Sequence, residues 1–345
     1  MKKILDIGTP LITVYTHHAY ELMVLANLKE ANKWIFCNYI RLYMNKDLIG
    51  TPWGDFYFSM PYEIKCYEKC PFLRVQKNDI AFILDNYAKV AQYVKASIDN
   101  GYCLHIMVDY YYVSQSRFYG KVRRNHDCFI YGYDDETEEL YCADFMLSDN
   151  RKIGYGTMQF DEFEKACRSA AVEKDGILNG YVYGLKPAMT DNYEFDIHNI
   201  IYGLEAYAEG KVPEYWLDTN YCNKSNISWG LNCYDSYIDY LNNLDGRIDD
   251  RFLCLFSDHK IMMVKRLEFL EDELHITGLK PYIEEYNGMY QELKRAVNLL
   301  LKYDICKNKD MLFRAIDIIA AEKEKEEACL LSVISVLKNY CGEEP

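Results

Sequence analysis

Asn125-His126-Asp127-Cys128-Phe129-Ile130-Tyr131-Gly132-Tyr133-Asp134-Asp135, followed after a short acidic connection by Leu140-Tyr141-Cys142-Ala143-Asp144, decides the fold of this chain. Apolar and aromatic residues fill the middle of both runs, and Gly132 with the acidic residues after it marks a turn between them. They read as two antiparallel strands. His126 opens the first strand and Asp144 ends the second, so the hairpin brings them to the same sheet edge. A histidine beside a carboxylate can hold one tautomer and move protons near neutral pH.

Working outward, Leu11 to Thr16 reads as an extended run feeding a helix from His17 to Asn32, with Leu22, Leu25, Ala26 and Leu28 on one face. His17 to Tyr20 then sit at a helix N-terminus, where backbone N–H groups and the helix dipole lower a thiol's pKa and stabilise an oxyanion. A second helix is expected over Asn78–Asn100, closed by Gly101. Tyr102 to Tyr112 reads as a strand, Phe160 to Ala171 as a short helix and Gly180 to Leu185 as a closing strand.

Beyond about Asp191 the pattern becomes helical, with amphipathic segments at 194–208, 229–243, 251–273, 280–303 and 308–340. Pro187 and Pro213 bracket the change. The expected fold class is therefore α+β, with a first domain over 1–187 and an all-helical domain over 188–345. His259 and Lys260 read as an exposed helix feature, and the run Glu322 to Glu327 as a solvated face. No internal repeat or low-complexity tract is present.

A chain of 345 residues that is 50% hydrophobic can bury a sizeable core. Its 53 acidic against 39 basic residues give a net charge of −14, which argues against nucleic acid as a partner. A cationic amine fits that field better, although an acidic surface is also an ordinary route to solubility. No signal-peptide pattern and no apolar run of membrane-spanning length is found, so the expectation is a cytoplasmic protein with no membrane partner. The 13 cysteines are odd in number and lack the spacing of a disulfide scaffold. Cys66 and Cys70 alone have ligand spacing and no second pair follows, so no metal is expected.

Cysteine-dependent acyl transfer needs a thiolate at a helix N-terminus, a histidine to shuttle its proton and a carboxylate or amide to orient the histidine. Val108-Asp109-Tyr110-Tyr111-Tyr112, His126, Gly132-Tyr133-Asp134 and Asp144 occur in that order, behind Thr16-His17-His18-Ala19-Tyr20-Glu21. Over residues 10–185 this order resembles the papain-fold peptidases that process bacteriocin leaders, and more closely the butirosin-biosynthesis protein H family. The resemblance implies a papain-like cysteine peptidase fold, a helix packed on an antiparallel sheet, followed by the helical region. It implies a catalytic set of position 19, His126 and Asp144, and it makes His18, Asp109 and Tyr111 candidates for substrate contact.

The chain departs from the family at the nucleophile, where Ala19 stands in place of cysteine. Three accounts compete: a cysteine replaced by alanine in this chain, a natural pseudoenzyme, or another cysteine such as Cys37 or Cys128. Retention of His126 and Asp144 favours the first. The activity the resemblance implies is amide formation in natural-product (antibiotic) biosynthesis. An acyl chain moves from an acyl or peptidyl carrier protein thioester to a small amine or diamine. No separate cofactor is implied, because the phosphopantetheine arm enters as part of the carrier-protein substrate. A cysteine peptidase or thioesterase is the rival enzyme, and a catalytically dead binding module the rival without turnover.

Overall fold

Residues 1–46, 52–56, 66–148, 152–172, 180–190, 193–211, 226–244 and 246–342 are described by the computed structural model. By their contacts they fall into two units, Met1–Ala31 with Ile64–Asn192, and Asn32–Glu63 with Tyr193–Pro345. The chain starts the first unit with β1 (Lys2–Ile4) and α1 (Thr16–Leu25), then supplies α2 (Asn32–Asn38), β2 (Leu42–Asn45) and β3 (Trp53–Phe56) to the second. It returns with α3 (Cys66–Lys69), β4 (Leu73–Asp79), α4 (Ile80–Asn86), α5 (Val90–Asp99), β5 (Cys103–Asp109), β6 (Asn125–Asp134), β7 (Glu139–Asp144), β8 (Gly154–Gln159), α6 (Phe160–Val172) and β9 (Tyr181–Pro187). The rest belongs to the second unit: α7 (Ile197–Glu209), β10 (Ile227–Trp229), α8 (Asn232–Asn242), α9 (Arg251–Asp272), α10 (Lys280–Cys306) and α11 (Lys309–Cys341). The protein is thus mixed helix and sheet with a helical C-terminal region. The chain crosses between the units at 31/32, 63/64 and 192/193; the sequence reading drew its boundary at residue 187, and the excursion of 32–63 has no counterpart in it. Pro213 lies outside the described residues.

The first unit is built on an antiparallel sheet of order β4-β9-β5-β6-β7-β8, with β1 also paired to β6. β5 is buried along almost its whole length because both faces of the sheet are covered. On one face Leu104, Ile106, Val108, Cys128, Ile130 and Cys142 meet Val90, Val94 and Ile98 of α5 and Phe163, Ala166 and Cys167 of α6. On the other, Tyr20 of α1 stacks on Phe129 at 4.7 Å and meets His105 edge-on at 5.0 Å. β1 lies against β6 with Ile4 opposite Gly132, and a Cβ added to Gly132 would stand 2.8 Å from the Lys3 carbonyl oxygen. The glycine of the Gly-Tyr-Asp triplet is therefore a close backbone approach between two strands.

Three local expectations differ from the structure. The helix drawn over Asn78–Asn100 is two helices: Asp79 ends β4 in extended geometry and caps α4 by accepting the Ala81 N–H at 2.7 Å, and Tyr87 is extended between α4 and α5. The helix drawn over His17–Asn32 ends at Leu25, and α2 restarts at Asn32. Leu11 to Thr16 forms no strand, though Tyr15, directly before α1, is extended.

In the second unit α7 to α11 coincide with the five amphipathic segments, beside a small antiparallel sheet of order β10-β2-β3. His259 and Lys260 are fully buried, which corrects the exposed-feature expectation; in the run 322–327 Glu322 and Glu326 are also buried, while Glu324, Lys325 and Glu327 are exposed as expected. The physical reason is mutual satisfaction. The Lys260 ammonium is paired with Glu326 Oε1, and Glu326 Oε2 accepts the hydroxyls of Tyr234 at 2.8 Å and Tyr207 at 3.2 Å. Lys260 also lies 2.9 Å from His259 Nδ1, while His259 Nε2 bonds the Ile40 carbonyl at 2.8 Å. Buried Arg266 donates to the carbonyls of Phe36 at 2.7 Å and Tyr39 at 2.5 Å. Side chains of α9 therefore satisfy the last carbonyls of and after α2, the groups a helix end leaves unpaired. Among the described residues no helix is long and apolar enough to cross a membrane.

Two outcomes are expected in chemical denaturation. Gly132→Ala forces β1 away from β6 and lowers stability by about 1–3 kcal/mol; an unchanged midpoint would show that the strands have room. Lys260→Met leaves Glu326 charged and buried, at a cost of about 3–5 kcal/mol, and adding Glu326→Leu recovers most of it. Equal losses in the single and double variants would contradict the ion-pair account.

Candidate active site

The register of β6 on β7 assembles the site. Phe129 is paired with Ala143, so the next residue, Asp144, stands across from Cys128, and His126 projects from the same face two residues earlier. Diagonal neighbours of this kind are within reach of a long side chain. His126 Nδ1 lies 3.0 Å and 3.1 Å from the two oxygens of Asp144. A carboxylate can only accept, so Nδ1 carries the proton and Nε2 is left as the reactive nitrogen. Asp144 is fully buried and also accepts the Phe145 N–H at 2.5 Å, whereas the His126 side chain is 24% exposed. Solvent reaches the imidazole and not the carboxylate behind it.

Burial pushes the His126 pKa down, but the charge and hydrogen bond of Asp144, with Asp127 nearby, overcome this and raise it to about 9. Burial pushes Asp144 up, against the opposing pull of His126. The pair is best described as an imidazolium held by a carboxylate at neutral pH.

A second histidine–carboxylate pair stands one residue away. Asp127 points to the opposite face of β6, where Oδ1 lies 2.9 Å from His105 Nε2 and Oδ2 accepts the Thr16 hydroxyl at 2.5 Å. The far nitrogen of His105, Nδ1, bonds the Tyr67 hydroxyl at 2.9 Å. Burial pushes Asp127 up, yet His105 and Thr16 hold it well below the usual carboxylate range. This network ties the first turn of α1 to β5, β6 and α3. Sequence reasoning missed Asp127, His105, Thr16 and Tyr67. The available signal was strand alternation: an aspartate next to His126 on a buried strand must face the other way and requires a partner there.

The remaining candidates fall as follows. Ala19 lies in α1 with 0% exposure, and its N–H is already bonded to the Tyr15 carbonyl at 3.0 Å, so that amide is no oxyanion donor. Tyr20, the next residue, sends its hydroxyl to the carbonyls of Asp127 and Ala143, both at 3.4 Å. These carbonyls are the backbone neighbours of His126 and Asp144, but α1 reaches them from the face that Asp127 and Phe129 occupy, opposite the one from which the pair projects. His18 is buried, its ring 4.1 Å from that of His17. Asp109 is buried with its carboxylate engaged by Ser169, Arg123 and two backbone N–H groups, and half-buried Tyr111 packs edge-on against Tyr112 at 5.1 Å. Asp109 pairs with Asn125 in the register of β5 on β6. Cys128 is fully buried, and its contact with Cys142 together with burial pushes its thiol far up. Cys37 is likewise pushed up by burial and belongs to the second unit. Neither cysteine is a ready thiolate. Cys70 is buried with a raised pKa, and the Cys66 side chain lies outside the described residues.

Because the His126 pKa is raised above its ordinary 6.5 to about 9, the stability it contributes is fully present below pH 6.5 and is lost as pH rises through about 9. Denaturation midpoints between those limits should fall with pH, and Asp144→Asn should flatten that slope. In the same variant the His126 ring, followed by NMR, should titrate about 1–3 pH units lower. A His126 that titrates below 7 in the unaltered chain would contradict the ion pair.

Compared with known proteins, the chain matches no family model and no curated protein.

Proposed function

We propose that the first unit is a papain-like acyl-transfer domain of the butirosin-biosynthesis protein H type, and that its chemistry is amide formation from a carrier-protein thioester once a cysteine stands at position 19. Within that group the chain resembles the amide synthase of closthioamide biosynthesis, which implies a diamine as acceptor. The observation that carries the reading is His126, fixed through Nδ1 by buried Asp144 with Nε2 left over and the ring partly exposed near the start of β6.

The raised pKa of His126 suits this chemistry. An imidazolium beside a thiol favours the thiolate, the form that attacks. The thiolate adds to the thioester carbonyl, the bond from that carbon to the phosphopantetheine sulfur breaks, and the leaving thiolate takes the proton from His126. The amine then attacks the acyl-enzyme, His126 accepts its proton, and the amide departs as the cysteine thiolate returns. Asp144 holds the tautomer throughout. A second reading, a binding module without turnover, is favoured by one observation: Ala19 is completely covered, so position 19 presents nothing to a ligand.

The two readings separate on intact-protein mass spectrometry of Ala19→Cys incubated with a small acyl thioester, with and without a diamine. Acyl transfer predicts a mass increase that the diamine discharges as amide. Discharge by water alone would make the protein a thioesterase or peptidase, and no acylation at all would leave the binding module.

A further inference from the structure

Between Tyr110 and His126 the sequence holds Arg117, Lys121, Arg123 and Arg124 and not one acidic residue, in a chain whose net charge is −14. The structure makes this segment a defined platform. It leaves β5 at Asp109 and enters β6 at Asn125, and buried Asp109 clamps both ends by accepting the N–H of Tyr111 at 3.1 Å and of Arg124 at 3.0 Å. Ser169 of α6 donates to the same carboxylate at 2.8 Å, and Arg123 is paired with it. Backbone bonds from Tyr110 N–H to the Arg124 carbonyl and from Gly120 N–H to the Tyr111 carbonyl, both 2.9 Å, close the loop on itself.

Arg123 is thus spent on the clamp. Arg117, Lys121 and Arg124 are exposed, and among the described residues no carboxylate pairs with any of them. Glu162 reaches the segment only at the Ser114 N–H, 3.4 Å away. Exposed beside the three cations are Tyr119 at 50% and Val122 at 55%, an apolar centre of the kind that anchors protein contacts. The platform runs directly into His126.

We infer that the loop from Tyr110 to Arg124 is the docking surface for an acidic protein partner, and that in the acyl-transfer reading, on which this rests, the partner is the carrier protein that delivers the acyl thioester. Charge complementarity is the ground. An acidic protein is repelled by the chain's net negative charge and attracted to this cationic, aromatic platform, which leads in sequence to His126. The anionic phosphodiester of a carrier arm would be met by the same cations on its way to His126.

The test uses the full chain and an acidic acyl carrier protein bearing its phosphopantetheine arm, with binding followed by calorimetry at low and high salt. The expected result is salt-sensitive binding that weakens by about tenfold or more in the variant Arg117→Glu, Lys121→Glu, Arg124→Glu. The three positions lie outside the His126–Asp144 pair, so the pair should stay intact and His126 should still titrate above its ordinary value. Carrier binding that is absent at low salt, or equal in the charge-reversed variant, overturns the inference. Equal or tighter binding of a single-stranded oligonucleotide also overturns it, in favour of a nucleic-acid surface. Acylation of Ala19→Cys by a small thioester requires no docking. Its failure therefore counts against the acyl-transfer reading, whereas its success with an unaffected charge-reversed variant counts against the docking surface alone.

Discussion

The Asp127 carboxylate is the constraint around which the first unit is arranged. A charged group with so little exposure is tolerated only if both oxygens are engaged, and here one meets His105 from β5 and the other Thr16 from α1. Fixing Thr16 fixes the first turn of α1, and with it the place where Tyr20 bonds the carbonyls of residues 127 and 143. The backbone of β6 is then held from one face by Asp127 while His126 is held from the other by Asp144. The same dipeptide therefore serves two opposed networks. A side chain on one face orients the helix, and its neighbour presents an imidazole.

The second unit solves a comparable problem differently. Its longest helices carry a lysine, an arginine, a histidine and two glutamates into a core filled with tyrosine and phenylalanine. Four of these five have partners within that core: Lys260 answers Glu326, the hydroxyls of Tyr207 and Tyr234 fill the second Glu326 oxygen, and Arg266 and His259 close the carbonyls that α2 leaves open. The abundance of tyrosine has a physical use in such a core, since the ring supplies buried area and the hydroxyl supplies a partner.

What the sequence made legible follows from the range of the forces involved. Amphipathic periodicity is local, so α7 to α11 were visible residue by residue, and the β6–β7 hairpin, joined by a short turn, was visible with its His126–Asp144 diagonal. The exposed strand β4 was not, because Leu73 to Asp79 is mostly polar and pairs with β9, more than a hundred residues later. The partners of Asp127 and of Lys260 were equally hidden. A charged residue on a helix reads as solvated until the carboxylate that meets it, 66 positions away for Lys260, is brought alongside. The same blindness applied to Gly132, whose requirement is imposed by β1 from the far end of the domain.

The departure of residues 32–63 from the first unit also sets a timetable for synthesis. Arg266 and the Phe36 carbonyl it satisfies are 230 residues apart. At ribosomal rates of about 5–20 residues per second, α2 waits roughly 10–50 s for the side chain that completes its C-terminal end. During that interval the rest of the first unit is made and can close, because its last strand is finished at Pro187. The nascent chain therefore carries a finished first unit while α2 still awaits Arg266 and β2 still awaits β10, its partner strand.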